Sequence, residues 1–235
     1  MDQGKRPSRP EPQGENSSAN RGDDALGRED WIEAAIGLLA SRGVGAVKIT
    51  QLAENLGVTR GSFYWHFKDR EDLLAALVKA WDKRNTKALV SAVEGSTDLV
   101  EGVLAIFECW LAAEPFAPRL DAALRDWGHH AEEVRRRVKR ADRKRVKAIA
   151  GVFERGGFAP QEAVIRARIL YYTQVGYYAL EEEESMAQRN KNLASYFKAF
   201  TGRDLDAVRV AAFSRRIARP AGVPRPPKKK KEQMS

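Results

Sequence analysis

The chain has 235 residues, of which 43% are hydrophobic and 31% charged, a composition that suits one larger domain or two small ones with packed cores. No apolar run reaches the length of about 20 residues that a membrane-spanning helix needs, and the N-terminus shows no signal-peptide pattern. We therefore expect a cytoplasmic protein without membrane contact. The single cysteine, Cys109, excludes an intrachain disulfide framework.

Positive charge is concentrated in two segments. The formal net charge is +9, and residues 214–235, which include the lysine run 228–231, contain eight Lys or Arg against one Glu. Residues 134–147 contain nine Lys or Arg against one Asp. Such blocks attract polyanions but also serve as solvated surface. Both interpretations stay open for the tail. Segment 134–147 is either a solvated helix face or an accessory site for DNA or for an anionic effector such as an acyl-coenzyme A.

Both ends of the chain lack core-forming residues. Residues 1–26 are rich in Pro, Gly, Ser and Asn, and residues 214–235 in Pro and Lys, so we predict a disordered leader and a disordered basic tail. Between about 28 and 213 the apolar spacing is helical, and no convincing alternating strand pattern interrupts it. We predict an all-α fold of eight or nine helices.

The first helices are short and have clear end signals. The first is predicted over 28–42, where Gly43 ends it, and the second over about 50–56. Thr50 is the predicted N-cap of the second helix, and Gly57 supplies the turn that follows it.

The next two helices are separated by a polar junction. A third, very short helix starts at Thr59 or Arg60 and ends by Phe67, and a fourth starts near Asp69, whose carboxylate caps it, and continues to about residue 93. Phe63 and Phe67 are four residues apart, so both should point into the core. Longer helices follow over approximately 98–113, 117–127, 130–155, 160–184 and 187–200.

Two short helices joined at Gly57, with the small residue Ala53 before it, form the pattern of a helix-turn-helix. The segment ITQLAENLGVTRGSFYWHFKDREDLLAALV (49–78) resembles the DNA-binding domain of the TetR family of bacterial regulators. The residues that carry this resemblance are Thr50, Ala53, Gly57, Val58, Thr59, Gly61, Ser62, Tyr64, Trp65, His66, Phe67, Asp69 and Leu73. It extends over about 28–88.

The resemblance implies the organisation of the whole chain. Residues 27–88 would form a DNA-binding domain, with its motif at about 48–67, and residues 89–213 a larger helical ligand-binding and dimerisation domain. It further implies a homodimer that binds a palindromic operator in double-stranded DNA.

The predicted DNA contacts divide into base-facing and phosphate-facing residues. By resemblance, Thr59, Arg60, Gly61 and Ser62 face bases, and Thr50, Tyr64, His66 and Lys68 hold phosphates. Trp65 joins the second group because its indole N–H can reach a phosphate oxygen. Residues 28–72 contain six Lys or Arg and seven Asp or Glu, so binding would depend on locally placed donors.

The second domain offers weaker signals. Few polar groups interrupt its apolar stripes, which favours a hydrophobic or aromatic effector. The candidate pocket residues are Trp110, Trp127 and Tyr171. The candidate dimer-interface residues, on the predicted last two helices, are Gly176, Tyr178, Ala179 and Tyr196.

The sequence favours a ligand-responsive homodimeric repressor, acting in the bacterial cytoplasm at the nucleoid. No catalytic motif is present, so we expect neither an enzyme nor a cofactor. His129 and His130 are adjacent and have no third ligand at suitable spacing, so we expect no metal site. Two alternatives stay open: a helical small-molecule carrier or enzyme with a structural N-terminal hairpin, and a sequence-tolerant architectural DNA binder.

Overall fold

The structure is a computed structural model that describes residues 26–111, 116–180 and 184–217. Every regular element in these ranges is helical, which confirms the predicted all-α fold. A 3₁₀ turn (Val44–Ala46) precedes the second helix, and a π-helical segment (Asp82–Lys87) joins α4 to α5 without a break. The α-helices are α1 (Arg28–Arg42), α2 (Ile49–Leu56), α3 (Arg60–Tyr64), α4 (Arg70–Trp81), α5 (Ala88–Glu94), α6 (Leu99–Leu111), α7 (Pro118–His130), α8 (Glu132–Arg155), α9 (Pro160–Ala179), α10 (Met186–Thr201) and α11 (Ala207–Ile217).

The described part contains more helices than the eight or nine that were predicted. Because α4, the π segment and α5 are continuous, these ranges contain ten helices, and α11 is the one that was not predicted. Its Phe213 is fully buried and Ile217 packs beside it, so residues 214–217 extend a helix rather than begin the predicted tail. The predicted leader 1–26, apart from its last residue, and the tail from 218 lie outside the described residues.

The ends of the first helices follow local rules, as expected. The backbone of Gly57 is left-handed (φ 69°), and its N–H donates to the Ala53 and Glu54 carbonyls at the end of α2. The Asp69 carboxylate accepts the Asp72 backbone N–H at 2.8 Å and caps α4. Thr50, however, is not the N-cap of α2, because that helix begins one residue earlier, at Ile49.

The first core is formed by α1 to α4 together with α7 and the N-terminal half of α8. Phe63 and Phe67 both point inward, as predicted, and are 0% and 2% exposed. Their rings stack at 5.3 Å, and Trp31 meets Phe63 edge-on at the same distance. The core continues past residue 88, since Leu124 and Val138 belong to it. The predicted domain boundary at 88 therefore falls at the start of α5, and α7 and α8 contact the N-terminal helices.

The second core is formed by α5, α6, the C-terminal half of α8, and α9 to α11. Helix α8 belongs to both cores because its inward positions repeat with helical spacing along its whole length. These buried positions are Val134, Val138, Ala141, Arg145, Ile149, Ala150, Val152 and Phe153.

A buried polar network joins the helices where the two cores meet. Arg145 is fully buried, and its guanidinium donates at 2.9 Å to both Asp121 Oδ1 and the Tyr171 hydroxyl. It also donates at 3.0 Å to Thr86 on the π segment. The Trp81 indole N–H, at the end of α4, donates to Asp121 Oδ1 at 2.7 Å. These bonds connect α4, α7, α8 and α9.

A second arginine completes the network from α7. Arg125 donates to Asp121 Oδ2 at 2.9 Å and forms two hydrogen bonds, of 3.0 and 2.7 Å, with the Asp142 carboxylate. The Tyr171 hydroxyl donates to Asp142 Oδ1 at 2.7 Å. Burial raises the pKa of Asp121, but the charges of Arg145 and Arg125 outweigh burial, so that its pKa lies below the usual value. Asp121 is therefore ionised at neutral pH.

Candidate nucleic-acid interface

The tip of α3 presents small and donor-bearing groups to solvent. Thr59 is the N-cap of α3 in extended conformation, and Thr59, Arg60 and Gly61 are all exposed. A Cβ on Gly61 would lie 3.4 Å from Thr59 Oγ1, so the absent side chain leaves this surface open. Ser62 differs from its predicted neighbours because it is only 6% exposed and faces the core.

The aromatic residues after the tip divide between the core and the surface. Tyr64 is 61% exposed and Trp65 is 87% exposed, although both are large apolar groups. His66 is half-buried, and Thr50 and Lys68 are exposed. All of the predicted phosphate-facing residues thus have at least part of their side chain accessible. Exposed rings next to an exposed helix tip form a surface that lacks a protein partner within the described chain.

Helix α3 is shorter than predicted, and the chain after it is held by specific bonds. It ends at Tyr64 rather than Phe67, because the next residues form tighter turns in which His66 N–H donates to the Phe63 carbonyl at 3.0 Å. The backbone must then become extended at Asp69 (φ −159°, ψ 179°) to begin α4.

Arg70 positions this motif, a role that no sequence pattern predicted. Its Nε donates to the Val47 carbonyl at 2.6 Å, and its Nη2 donates to the Val44 carbonyl at 2.9 Å. These bonds attach the start of α4 to the turn before α2. Their sequence separation is 23 to 26 residues, so no local pattern could have indicated them. Arg28 also braces the motif, 4.3 Å above the Phe67 ring.

A cavity lies between α6, α9 and α10. Its wall is largely aromatic, and Trp110, Tyr177 and Tyr196 contribute to it together with Glu184 and Arg189. Trp110 is 5% exposed, and its indole N–H has no hydrogen-bond partner among the described residues. A hydrogen bond with Tyr177 raises the pKa of the Tyr196 hydroxyl to about 12, so this hydroxyl stays neutral.

The predicted pocket residues occupy three different environments. Trp110 lines the cavity, whereas Trp127 packs half-buried against the first core. Tyr171 belongs to the buried polar network. Of the predicted interface residues, Tyr196 lines the same cavity and Tyr178 stacks on Phe116 at 5.8 Å.

Helix α9 carries an exposed apolar stripe whose residues were not among the predicted site residues. Ile165, Ile169 and Tyr172 are 47%, 53% and 57% exposed and follow helical spacing along one face. The predicted interface residues Gly176 and Ala179 continue this spacing and are half-buried and exposed, respectively. The signal was present in the sequence, because apolar residues at these positions exceed what one core face of α9 requires.

Within residues 26–111, 116–180 and 184–217, no helix is long and apolar enough to cross a bilayer. The same residues contain no group of three or more His, Cys, Asp or Glu side chains placed to hold a metal ion.

Comparison with known proteins agrees with the motif. Residues 32–77 match the family model described as bacterial regulatory proteins, tetR family. The HTH-type transcriptional regulator AcrR of Shigella flexneri is 38% identical over 50 residues, which are 21% of this chain and 23% of that protein. The class C tetracycline repressor protein of Escherichia coli is 44% identical over 55 residues, or 23% and 25% of the two chains. The match thus spans about a quarter of these relatives' length.

Solved structures share the fold over most of the chain. A transcriptional regulator from Rhodococcus sp. Rha1 has a TM-score of 0.55 and 19% identity, over 81% of this chain and 97% of that one. The ketosteroid transcriptional regulator KstR2 of Mycobacterium tuberculosis has a TM-score of 0.56 and 18% identity, over 76% and 95%. These similarities concern the fold, whereas the sequence match lies in the helix-turn-helix. That match shows that residues 32–77 are similar to the DNA-binding segment of the TetR family of bacterial regulatory proteins.

Proposed function

We propose that this protein is a DNA-binding transcriptional regulator: a homodimeric repressor that a small molecule releases from a palindromic operator. The observation that carries the proposal is the exposed tip of α3, Thr59 to Gly61, beside the exposed rings of Tyr64 and Trp65. Such a surface fits a major groove and its phosphate walls. The protein would act at the bacterial nucleoid.

The tip and the rings have separate roles. Arg60 would pair its guanidinium with the acceptor edge of a guanine, a contact worth about 1–3 kcal/mol of discrimination. Tyr64, Trp65, His66 and Lys68 would donate to phosphate oxygens and fix the orientation of α3 without reading sequence. Burial of Phe63 beneath α3 keeps the tip rigid, so little ordering is lost on binding.

A second copy would cover the apolar stripe of α9. Ile165, Ile169 and Tyr172 lie on one helix face, and a two-fold axis would set the same face of the partner against them. The resulting dimer would place two α3 tips in successive major grooves, about 34–36 Å apart, as a palindrome requires.

The cavity between α6, α9 and α10 is the proposed effector site. Its aromatic wall suits a hydrophobic or aromatic molecule, and the Trp110 indole N–H would donate to an acceptor on that molecule. The cavity volume is about 70 Å³, below the range of about 300–1,000 Å³ of typical small-molecule sites, so the effector would have to widen it on binding. An effector can release DNA only if it binds more tightly to a dimer conformation whose two α3 tips do not fit the operator spacing than to the DNA-bound conformation.

The test combines selection of bound duplexes from a random pool with fluorescence anisotropy on the selected sequence. Tyr64→Ala should weaken binding to every sequence by a similar factor, and Arg60→Ala should mainly relax preference at one or two positions. Lys191→Ala, which removes an exposed cation from α10, serves as the control and should leave binding unchanged. A pool that converges on no sequence would favour an architectural DNA binder. Absence of duplex binding at low ionic strength would refute the proposal.

A further inference from the structure

A second concave surface lies away from the α3 tip, between α8 and the helix formed by α4 and the π segment. We name it the basic cleft. It has a volume of about 380 Å³, which falls within the range of about 300–1,000 Å³ that is typical of small-molecule sites. One wall is lined by Lys79, Lys83 and Lys87 with Asp82, and the other by Arg137, Arg140 and Lys144.

The charges around this cleft are unbalanced. Six cationic side chains line it against one carboxylate, that of Asp82. Arg137 is paired with Glu133 at 3.2 Å. Among the residues that the structure describes, the other five cations form no salt bridge. A concave surface lined by one sign of charge focuses the field and concentrates counter-ions of opposite sign.

The first turn of the same helix shows that this imbalance is local. There, Glu132 and Glu133 form salt bridges with Arg135, Arg136 and Arg137. Beyond this turn, the carboxylates of α8 are those of Asp142, which pairs with Arg125 at 2.7 Å, and of Glu154 near the end of the helix, and neither residue lines the cleft. The cations of the cleft therefore lack the internal neutralisation that the neighbouring turn has.

The spacing of these cations favours a ligand with several negative groups in a row. Lys79, Lys83 and Lys87 recur every four residues on one wall, and the facing cations follow helical spacing on α8. Three cations on each wall can grip a chain of anionic groups from both sides. Phosphates suit this arrangement because ammonium and guanidinium groups both bind their oxygens through charge-assisted hydrogen bonds.

The cleft is also built on a rigid base. Trp81 lines it, is 1% exposed, and is held by its hydrogen bond to Asp121. Arg145 lies behind Trp81, 5.0 Å from the ring centroid. The two walls thus have fixed positions before any ligand binds, which lowers the entropic cost of binding.

We infer that the basic cleft binds an anion that carries several phosphate groups, at a site separate from the α3 tip and from the cavity between α6, α9 and α10. The phosphates could belong to a small molecule with a nucleotide-like polyphosphate or to the backbone of duplex DNA. The chemistry of the site is the same for both sources. The inference does not depend on the proposed regulatory function.

The experiment compares two double variants of the full chain. Arg140→Gln with Lys144→Gln removes two cations from the cleft, and Lys139→Gln with Arg143→Gln removes one Lys and one Arg from exposed positions of the same helix outside it. All four residues are exposed, so both variants should fold, which thermal unfolding followed by circular dichroism verifies.

The first arm uses inorganic tripolyphosphate, titrated into each protein by calorimetry at low ionic strength. The unmodified chain should bind one equivalent, and the cleft variant should bind about tenfold more weakly or worse, whereas the control variant should bind as the unmodified chain does.

The second arm measures how the affinity for duplex DNA depends on salt concentration. If the phosphates belong to DNA, the slope of log K against log salt should fall by about 1.8 in the cleft variant only, and tripolyphosphate should not bind stoichiometrically. The inference is overturned if tripolyphosphate does not bind and the slope does not change, or if both variants are affected equally. If the protein binds no duplex, the proposed function is refuted, but the tripolyphosphate titration still tests whether the basic cleft binds phosphates.

Discussion

Neutralising Asp121 tests whether the two cores are held together by a charge pair. Asp121→Asn keeps the shape of the side chain and an oxygen that can accept the Trp81 indole N–H. It removes the carboxylate that lies 2.9 Å from Arg145, whose side chain has no exposed surface. Arg145 would keep its hydrogen bonds to Thr86 and Tyr171 but lose its salt bridge.

The expected cost is a large part of the total stability. Leaving one charge of a buried pair without its partner costs about 3–5 kcal/mol, against a total of about 5–15 kcal/mol for a typical domain. Arg145→Met should cost less, because Asp121 would still pair with Arg125 at 2.9 Å and accept from Trp81. The order of the two costs follows from the geometry and does not depend on their absolute size.

Urea denaturation of the variants measures both costs as shifts in midpoint at unchanged slope. Glu162→Gln is the matched control, since it also removes one negative charge beside an arginine. The side chains of that pair, Glu162 and Arg166, are 49% and 26% exposed, so we expect a change of no more than about 0.5 kcal/mol.

The difference in the free energy of unfolding between the unmodified chain and Asp121→Asn should decrease at acidic pH. The folded-state pKa of Asp121 is depressed, so its stabilising contribution is present above the unfolded value of about 3.9 and is lost as pH falls through the folded value. The difference should thus be constant near neutral pH and shrink below about pH 4. This account of the network would be contradicted if Asp121→Asn lowered the free energy of unfolding by less than about 1 kcal/mol at neutral pH, or if Arg145→Met lowered it by more than Asp121→Asn does.

Two further predictions concern packing and reactivity. Gly102→Ala should lower the free energy of unfolding by about 1–3 kcal/mol, because the new Cβ would lie 2.3 Å from Val152 Cγ1. A Cβ added at Gly37 would have no neighbouring atom within 4 Å, so Gly37→Ala should raise the free energy of unfolding by up to about 1 kcal/mol. In urea denaturation, the two variants should therefore shift the unfolding midpoint in opposite directions. Burial raises the pKa of the Cys109 thiol to about 11, so iodoacetamide should modify it slowly in the folded protein and quickly in urea, as followed by mass spectrometry. Equal rates would show that the thiol is accessible.

Features set by short stretches of sequence could be predicted. The turn at Gly57, the Asp69 cap and the burial of Phe63 and Phe67 each depend on residues within one or two turns of helix. Contacts between distant segments could not. Arg70 donates to carbonyls that are more than twenty residues away in the sequence, and no periodic pattern predicts such hydrogen bonds.

The composition of the basic segment 134–147 did not indicate which of its cations are exposed and which are buried. Its cations, taken together, suggested either a solvated face or an accessory site, yet Arg145 is fully buried. Arg145 has the helical phase of the buried positions Val138, Ala141 and Ile149, so its location was available from periodicity. Its partner Asp121 lies on a different helix, and the pairing itself required the fold.

Directional bonds at this junction restrict how the helices can move against one another. Apolar contacts alone would allow small sliding, because hydrophobic attraction depends on area rather than on angle. Arg145 and Asp121 instead fix one register of α7 on α8, through bonds whose geometry tolerates little change. Leu170 lines the cavity between α6, α9 and α10, and the next residue, Tyr171, donates to and accepts from this network. A displacement of α9 at the cavity would therefore strain the Tyr171 bonds to Arg145 and Asp142. Arg145 is bonded in turn to Asp121, which accepts the indole N–H of Trp81 at the end of α4.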